Sequence, residues 1–180
     1  MKGIDWVKNV GSFTPDCEID YSGRGFDQLE RIVNMIDSAP DSRDMLISAW
    51  NPNDLDKMAL PPCHTFWQVL VNNGKLDLGW YQRSVDTMVG LPFNIASYAT
   101  VLHLLANHFG LEEGTLKGAF GDAHIYNNHS SGVEEQLSRT PSQLPQIKTK
   151  KGISIFDWTH EDSEIIGYDS LDKIGFEIAV

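Results

Sequence analysis

An α+β fold is what this sequence predicts, on three observations. Apolar residues fall at helical spacing in two separate stretches, Phe26-Leu29-Ile32-Val33-Ile36 and residues 92–109. Two β-prone runs, residues 65–71 and 75–83, flank Asn72-Asn73-Gly74, the composition of a hairpin turn. Strands and helices do not alternate regularly along the chain.

The elements follow in order. The first two dozen residues carry Gly3, Gly11, Pro15, Gly23 and Gly25 without periodicity and read as a loop or extended arm. The first helix runs from Phe26 and stops before Pro40. Residues 45–50 are a compact apolar run, expected as a buried strand. Asn51-Pro52-Asn53-Asp54 is a turn or a helix start. After the hairpin, Pro92 opens a long helix through Phe109, with Gly110 as its C-cap. Residues 115–120 and 123–126 read as strand pieces broken by Gly118 and Gly121. Residues 131–139 read as a short helix, and residues 153–158 and 164–168 as short strands. Residues 1–180 suit one domain with a sizeable core.

A net charge of -11 argues against general nucleic-acid binding, which needs a basic surface. It leaves room for a small anion held by a few local arginines. No stretch is long and apolar enough to span a bilayer, so no membrane partner is expected. The opening Met1-Lys2-Gly3-Ile4-Asp5-Trp6 has no apolar signal core, and a cytoplasmic location is expected. The two cysteines, Cys17 and Cys63, are expected to be free. No cysteine or histidine cluster has zinc spacing, and His103 and His108 do not share one helix face, so no metal is expected.

Chemistry concentrates after Leu60-Pro61-Pro62. There Cys63 stands beside His64, and Gln82-Arg83-Ser84-Val85-Asp86 follows on the predicted second strand. A thiolate is the reactive form of cysteine, and a nearby cation stabilises it. A lone cysteine is more often a small core residue. The two prolines fix an irregular backbone that a plain core strand would not need. Arg83 offers a planar fork for a phosphate and Ser84 a hydroxyl, although a strand-end arginine also suits a surface ion pair. Asn94, in the first turn of the long helix, carries one acceptor and two donors. These complement the O4 and N3–H edge of uracil; a local backbone cap is the plainer role. His124 and Tyr126 alternate along a strand and so share a side, where they could hold a sugar hydroxyl or form a half-buried polar pair. Trp50, Trp67, Trp80 and Trp158 read as core or interface residues, and His103 as a satisfied core or edge histidine.

Taken together, these segments resemble a family. Ser48-Ala49-Trp50-Asn51 and Leu55-Asp56-Lys57-Met58-Ala59-Leu60-Pro61-Pro62-Cys63-His64 are similar to the nucleophile region of folate-dependent thymidylate synthases. Tyr81-Gln82-Arg83-Ser84-Val85-Asp86 and Gly90-Leu91-Pro92-Phe93-Asn94-Ile95-Ala96-Ser97-Tyr98-Ala99 resemble its substrate-binding strand and helix. Gly121-Asp122-Ala123-His124-Ile125-Tyr126-Asn127-Asn128-His129 resembles its sugar-binding segment. The match runs from about Gly25 to the C-terminus, the C-terminal two-thirds of the usual domain, with residues 1–25 as a poorly matched arm.

The resemblance implies a mixed β-sheet with a long central helix packed on it. It also implies a reaction. Cys63 attacks C6 of dUMP, and C5 takes a one-carbon unit from 5,10-methylenetetrahydrofolate, giving dTMP and dihydrofolate. Cys63, Arg83, Asp86 and Asn94 are the implied catalytic residues. Arg43, His64, Gln82, Arg83, Ser84, Asp86, Asn94, His124 and Tyr126 would bind dUMP; Asp86, Gly90, Phe93 and Val180 would contact the folate. A homodimer is implied, its sheets face to face and Arg43 crossing to the other subunit's phosphate. Two alternatives stand beside this reading. One is a hydroxymethylase of the same fold acting on dUMP or dCMP; the other is a nucleotide-binding homologue or subunit with little activity alone.

Two departures from the family pattern carry expectations. The usual pair of arginines is here Arg43-Asp44, and a carboxylate near a phosphate should weaken binding by on the order of 1 kcal/mol. Gly3-Ile4-Asp5-Trp6 is similar to a Gly-x-x-Trp segment well inside the family domain, with Lys2 in place of a tyrosine. The arginine loop and the proton-managing glutamate that precede it have no counterpart in these residues. A separate polypeptide supplying that part is expected, or else a chain that turns over poorly, since general acid–base help is worth roughly 10²- to 10⁴-fold.

Overall fold

The computed structural model describes residues 26–178. The expected N-terminal arm, Cys17 and Val180 lie outside the described residues.

The first helix, α1 (Gln28–Ser38), starts where the Asp27 carboxylate accepts from the amides of Leu29 and Glu30. Three strands follow: β1 (Leu46–Ser48), β2 (His64–Asn72) and β3 (Lys75–Asp86). The first two are separated by a 3₁₀ turn, Pro52–Lys57. β2 and β3 form the expected hairpin, with Asn73 and Gly74 both at positive φ, 51° and 77°. The long helix α2 (Gly90–Phe109) then crosses over to β4 (Glu112–His124), which pairs parallel to β3. A short helix α3 (Ser130–Ser138) and a small antiparallel ribbon, β5 (Gln146–Thr149) with β6 (Ser163–Ile166), complete the described chain.

The main sheet has the order β1-β2-β3-β4. Alternation along β3 builds the core: Leu76, Leu78, Trp80 and Gln82 point to the α2 side and are buried. Tyr98, Leu102, Leu105 and Ala106 of α2 join the same cluster, as do Ile32 and Ile36 of α1 and Met45. Trp80 and Tyr98 stack at 4.9 Å between ring centroids. Leu105 is 0% exposed. Its replacement by alanine should lower the unfolding free energy by about 2–5 kcal/mol, read from the urea midpoint. The other face of the sheet exposes Leu46, Phe66 and Leu70. Beside them Phe66 stacks on Tyr81 at 5.8 Å.

Three expectations need correction. First, Gly118 and Gly121 do not break a strand; β4 is continuous from Glu112 to His124. The two glycines let it press against β3. A Cβ at Gly118 would lie 2.7 Å from the Trp80 ring, and one at Gly121 2.7 Å from the Arg83 carbonyl. Second, α2 begins at Gly90, before Pro92, which puts Asn94 in the second turn. The Asp86 carboxylate accepts from the amides of Met88 and Val89, at 3.0 and 3.1 Å, and turns the chain straight from β3 into the helix. Pro92 falls within the first turn, where a missing N–H costs nothing. Third, residues 153–158 are not a strand. The Ser154 carbonyl there accepts from the amides of both Asp157 and Trp158, a turned conformation. The partner of β6 is Gln146–Thr149 instead, which pairs from Gln146↔Ile166 to Thr149↔Ser163.

That ribbon docks on α2 through polar contacts. His103 touches Glu113 Oε1 at 2.6 Å with Nδ1 and Thr149 Oγ1 at 2.9 Å with Nε2. Thr149 Oγ1 meets Ser163 Oγ at 2.6 Å, and Trp158 Nε1 donates to Ser163 Oγ at 2.8 Å. His103 is thus the satisfied histidine that the sequence suggested.

Candidate active site

Register collects the chemistry at one end of the sheet. His64 of β2 lies opposite Gln82 of β3, and the parallel pair places Ser84 beside Asp122 and Asp86 beside His124. Cys63 precedes β2, and α2 starts shortly after Asp86, so strand ends and a helix start surround one rim. The β2–β3 register shifts between His64 and Phe66, and the bulged residue re-aims the chain next to Cys63.

Arg83 clamps the cysteine loop. Its Nε donates to the Pro62 carbonyl at 2.9 Å and its Nη2 to the Pro61 carbonyl at 2.7 Å. The same Nη2 reaches Cys63 Sγ at 3.9 Å, and the backbones join through Arg83 N–H to the Cys63 carbonyl at 2.9 Å. A guanidinium therefore stands against a half-buried, free sulfur. Nη1 makes no hydrogen bond among the described residues, so two donors of the fork remain for an anionic ligand. The prolines contribute by aiming two consecutive carbonyls, a role invisible in their sequence position.

A relay of amides orders Asn94. Trp80 Nε1, which can only donate, gives its hydrogen to Gln82 Oε1 at 3.3 Å. This fixes the Gln82 amide, whose Nε2 donates to the Ser84 carbonyl at 3.1 Å and to Asn94 Oδ1 at 3.0 Å. Asn94 therefore presents Nδ2 as a donor and one remaining lone pair on Oδ1 as an acceptor. Gln82 is 3% exposed, so this arrangement is held inside the fold. Gly90 fits against both neighbours: a Cβ there would lie 3.7 Å from Asn94 Oδ1 and 3.7 Å from Asp86 Cβ.

His124 ends β4, and Tyr126 follows in extended conformation. Their rings meet edge to face at 5.0 Å, so the two do share a side. His124 Nδ1 is buried without a hydrogen bond among the described residues. Asp122 Oδ2 stands 3.5 Å from it. The part of the ring that stays exposed, beside a tyrosine, suits a hydroxyl ligand. Ser84 is half-buried, and its hydroxyl makes no hydrogen bond among the described residues. Phe93 is 74% exposed, next in sequence to Asn94.

Two expected residues are engaged or placed differently. His64 Nδ1 is engaged by the Tyr98 hydroxyl at 3.0 Å, with the rings 5.5 Å apart, so it faces the α2 core. Burial lowers the His64 pKa from its ordinary 6.5 and raises that of Tyr98. The unfolded chain therefore binds a proton that the folded chain resists, and stability falls as pH drops below about 6.5. In His64→Gln this loss should shrink, as read from urea unfolding at pH 7.5 and 5.5. Arg43 is exposed on the loop before β1. The neighbouring Met45 carbonyl accepts from Val69 N–H at 3.0 Å. The strand from Val69 back to Cys63 covers roughly 20 Å at about 3.3 Å per residue, so Arg43 does not reach its own chain's Cys63 rim.

Sequence reasoning missed Trp80 and the two proline carbonyls as supports of the site. The i, i+2 spacing of Trp80 and Gln82 on β3 was the available signal for the first.

A family model described as thymidylate synthase matches residues 3–180. The chain is 46% identical to the bifunctional dihydrofolate reductase-thymidylate synthase of Paramecium tetraurelia over 178 residues, covering 99% of this chain and 38% of that protein. It is 48% identical to the thymidylate synthase of Staphylococcus haemolyticus over 162 residues, 90% of this chain and 51% of that one. To the thymidylate synthase of Corynebacterium aurimucosum it is 47% identical over 182 residues, 98% of this chain and 68% of that one. The chain thus spans between about a third and two-thirds of the length of these relatives.

Proposed function

This chain belongs to the thymidylate synthase family, and from that premise we propose that it methylates dUMP at C5 with 5,10-methylenetetrahydrofolate, releasing dTMP and dihydrofolate. The observation that carries the reading is the joint placement of the Arg83-clamped Cys63 and the amide-ordered Asn94 at one rim.

Arg83 Nη1 and the Ser84 hydroxyl hold the phosphate, and His124 with Tyr126 holds the sugar hydroxyl. Asn94 Nδ2 donates to O4 of the base, while Oδ1 accepts from N3–H. Cys63 Sγ then forms a bond to C6, and the C5–C6 π electrons move toward C5 and O4. Asn94 stabilises the negative charge that develops on O4. The folate supplies the one-carbon unit and the hydride. Phe93 gives a flat apolar surface beside Asn94 for one of its rings, with Asp86 and Gly90 next to it. Val180 is assigned to the same contact by resemblance alone. Loss of the C5 proton and β-elimination release Cys63 as a thiolate.

A homodimer is part of the proposal. Leu46, Phe66 and Leu70 give the outer sheet face an apolar surface for a second copy, and Arg43 would serve the other subunit's phosphate. The acid–base group that removes the C5 proton is proposed to come from polypeptide outside these residues. A free thiol at the centre suits a reducing, cytoplasmic compartment.

The test is product analysis with dUMP and labelled methylenetetrahydrofolate. Equal amounts of dTMP and dihydrofolate are expected. Hydroxymethyl-dUMP without dihydrofolate would replace the reading with the hydroxymethylase alternative, which the relatives' names do not favour. Tight nucleotide binding without turnover would mark a subunit needing its complement. Asp44 is exposed beside Arg43. Asp44→Arg should tighten dUMP binding about five- to tenfold at low salt, and less at 0.5 M salt, by calorimetric titration.

A further inference from the structure

His129 is 1% exposed, and the proposed chemistry has no use for it. Its Nε2 meets the carbonyl of Glu177 at 2.7 Å, across 48 residues of sequence. A carbonyl only accepts, so Nε2 carries the hydrogen. The ring lies 5.5 Å from that of Tyr126 and 5.1 Å from that of Phe176, tilted steeply to both. Its backbone N–H donates to the Tyr126 carbonyl at 2.9 Å. Phe176 itself occupies a notch left by Gly132, where a Cβ would come within 2.8 Å of the phenyl tip.

The segment that ends in Glu177 has no regular secondary structure after β6 and is mostly exposed. Among the described residues, two side chains hydrogen-bond to its backbone, one from each end of α3. Arg139 Nη1 donates to the Asp172 carbonyl at 2.6 Å, beyond the last turn of the helix. His129 holds Glu177 just before the first turn. The two straps differ in what else they touch. Arg139 pairs with Glu135 of its own helix at 2.5 Å. His129 packs on Tyr126, and Tyr126 on His124.

We propose that His129 is a positioning residue: it straps the C-terminal segment to Tyr126 and thereby sets the tyrosine that holds the sugar hydroxyl, whereas Arg139 anchors the same segment without touching the site. This rests on the reading of Tyr126 as a sugar ligand in the proposed function.

The test compares full-length His129→Leu, His129→Gln and Arg139→Leu. Cleavage by chymotrypsin within residues 168–178 is followed without ligand, and binding is titrated with dUMP and with its analogue lacking the 3′-hydroxyl. His129→Leu should be cut faster after Phe176 and bind dUMP about tenfold more weakly, the worth of one well-placed hydrogen bond. Its affinity for the analogue should stay within about twofold of the parent. His129→Gln, whose Nε2 can still reach the Glu177 carbonyl, should recover both properties, which also guards against a leucine variant that fails to fold. Arg139→Leu should be cut faster after Leu171 and keep its dUMP affinity. Equal weakening toward both nucleotides in His129→Leu, or no recovery in His129→Gln, would overturn the strap. Failure of the parent chain to bind either nucleotide would overturn the proposed function as well, and is recognised because the cleavage pattern stays as expected.

Discussion

Cys63→Ser should abolish covalent capture and lower turnover by on the order of 10⁴-fold or more, while dUMP affinity changes by no more than a few-fold. The loss is chemical. A serine hydroxyl beside Arg83 remains protonated at neutral pH and is a poor nucleophile toward a ring carbon. The retention is structural. Arg83 keeps its bonds to the carbonyls of Pro61 and Pro62, at 2.7 and 2.9 Å, whatever stands at position 63. Its Nη1, without a partner among the described residues, therefore stays available for the proposed phosphate contact. Mass measurement with fluorodeoxyuridylate and methylenetetrahydrofolate reads the difference. The parent should gain the mass of both small molecules on the peptide containing Cys63, and the serine variant neither. A ternary adduct in the serine variant would remove Cys63 from the mechanism.

Asn94→Asp should invert base preference from uracil to cytosine, changing the ratio of dissociation constants for dUMP and dCMP by about 10²-fold or more. The relay that orders position 94 survives the change, because Gln82 Nε2 donates to an oxygen that aspartate retains. The other end of the group changes from Nδ2, a donor, to an oxygen, an acceptor. Toward uracil O4 it now sets acceptor against acceptor; toward cytosine it sets acceptor against the amino donor, while a proton held between the Asp carboxyl and N3, which has no hydrogen of its own, supplies the second bond. Each mismatch leaves a buried polar group unpaired, worth about 1–3 kcal/mol. An unchanged ratio in paired titrations would show that Asn94 does not read the base.

Contiguous motifs made much of this legible. Pro61-Pro62-Cys63-His64 and Gln82-Arg83-Ser84 are local, and the β-hairpin between them is also local, so their meeting needed only one turn to be recognised. The engagement of His64 Nδ1 by Tyr98 was not legible in the same way. Neighbours in a strand point to opposite faces, and which face looks at Tyr98 depends on how α2 lies, a matter of tertiary packing. Asn94 was placed a turn too early because Pro92 looked like a helix start, while the Asp86 turn that begins the helix has no strong sequence mark. The glycines of β4 were misjudged as breaks. Their function is steric, set by Trp80 and Arg83 on the adjacent strand, and intrinsic propensity says nothing about a neighbour. The relay from Trp80 to Asn94 spans two elements and could be guessed only once β3 and α2 were in contact.

The contacts that seat the ribbon on α2 have a polarity. Indole can give a hydrogen but not take one, and carboxylate can take but not give. With Trp158 at one end and Glu113 at the other, every hydrogen finds an acceptor when all run the same way: indole to Ser163, Ser163 to Thr149, Thr149 to His103, His103 to Glu113. Direction is thus a property of the whole line and of no single link. A donor placed at position 113 would turn the histidine to its other tautomer and reverse the bonds as far as Ser163, whose oxygen would then accept from both Thr149 and Trp158 and leave its own hydrogen in need of a new acceptor.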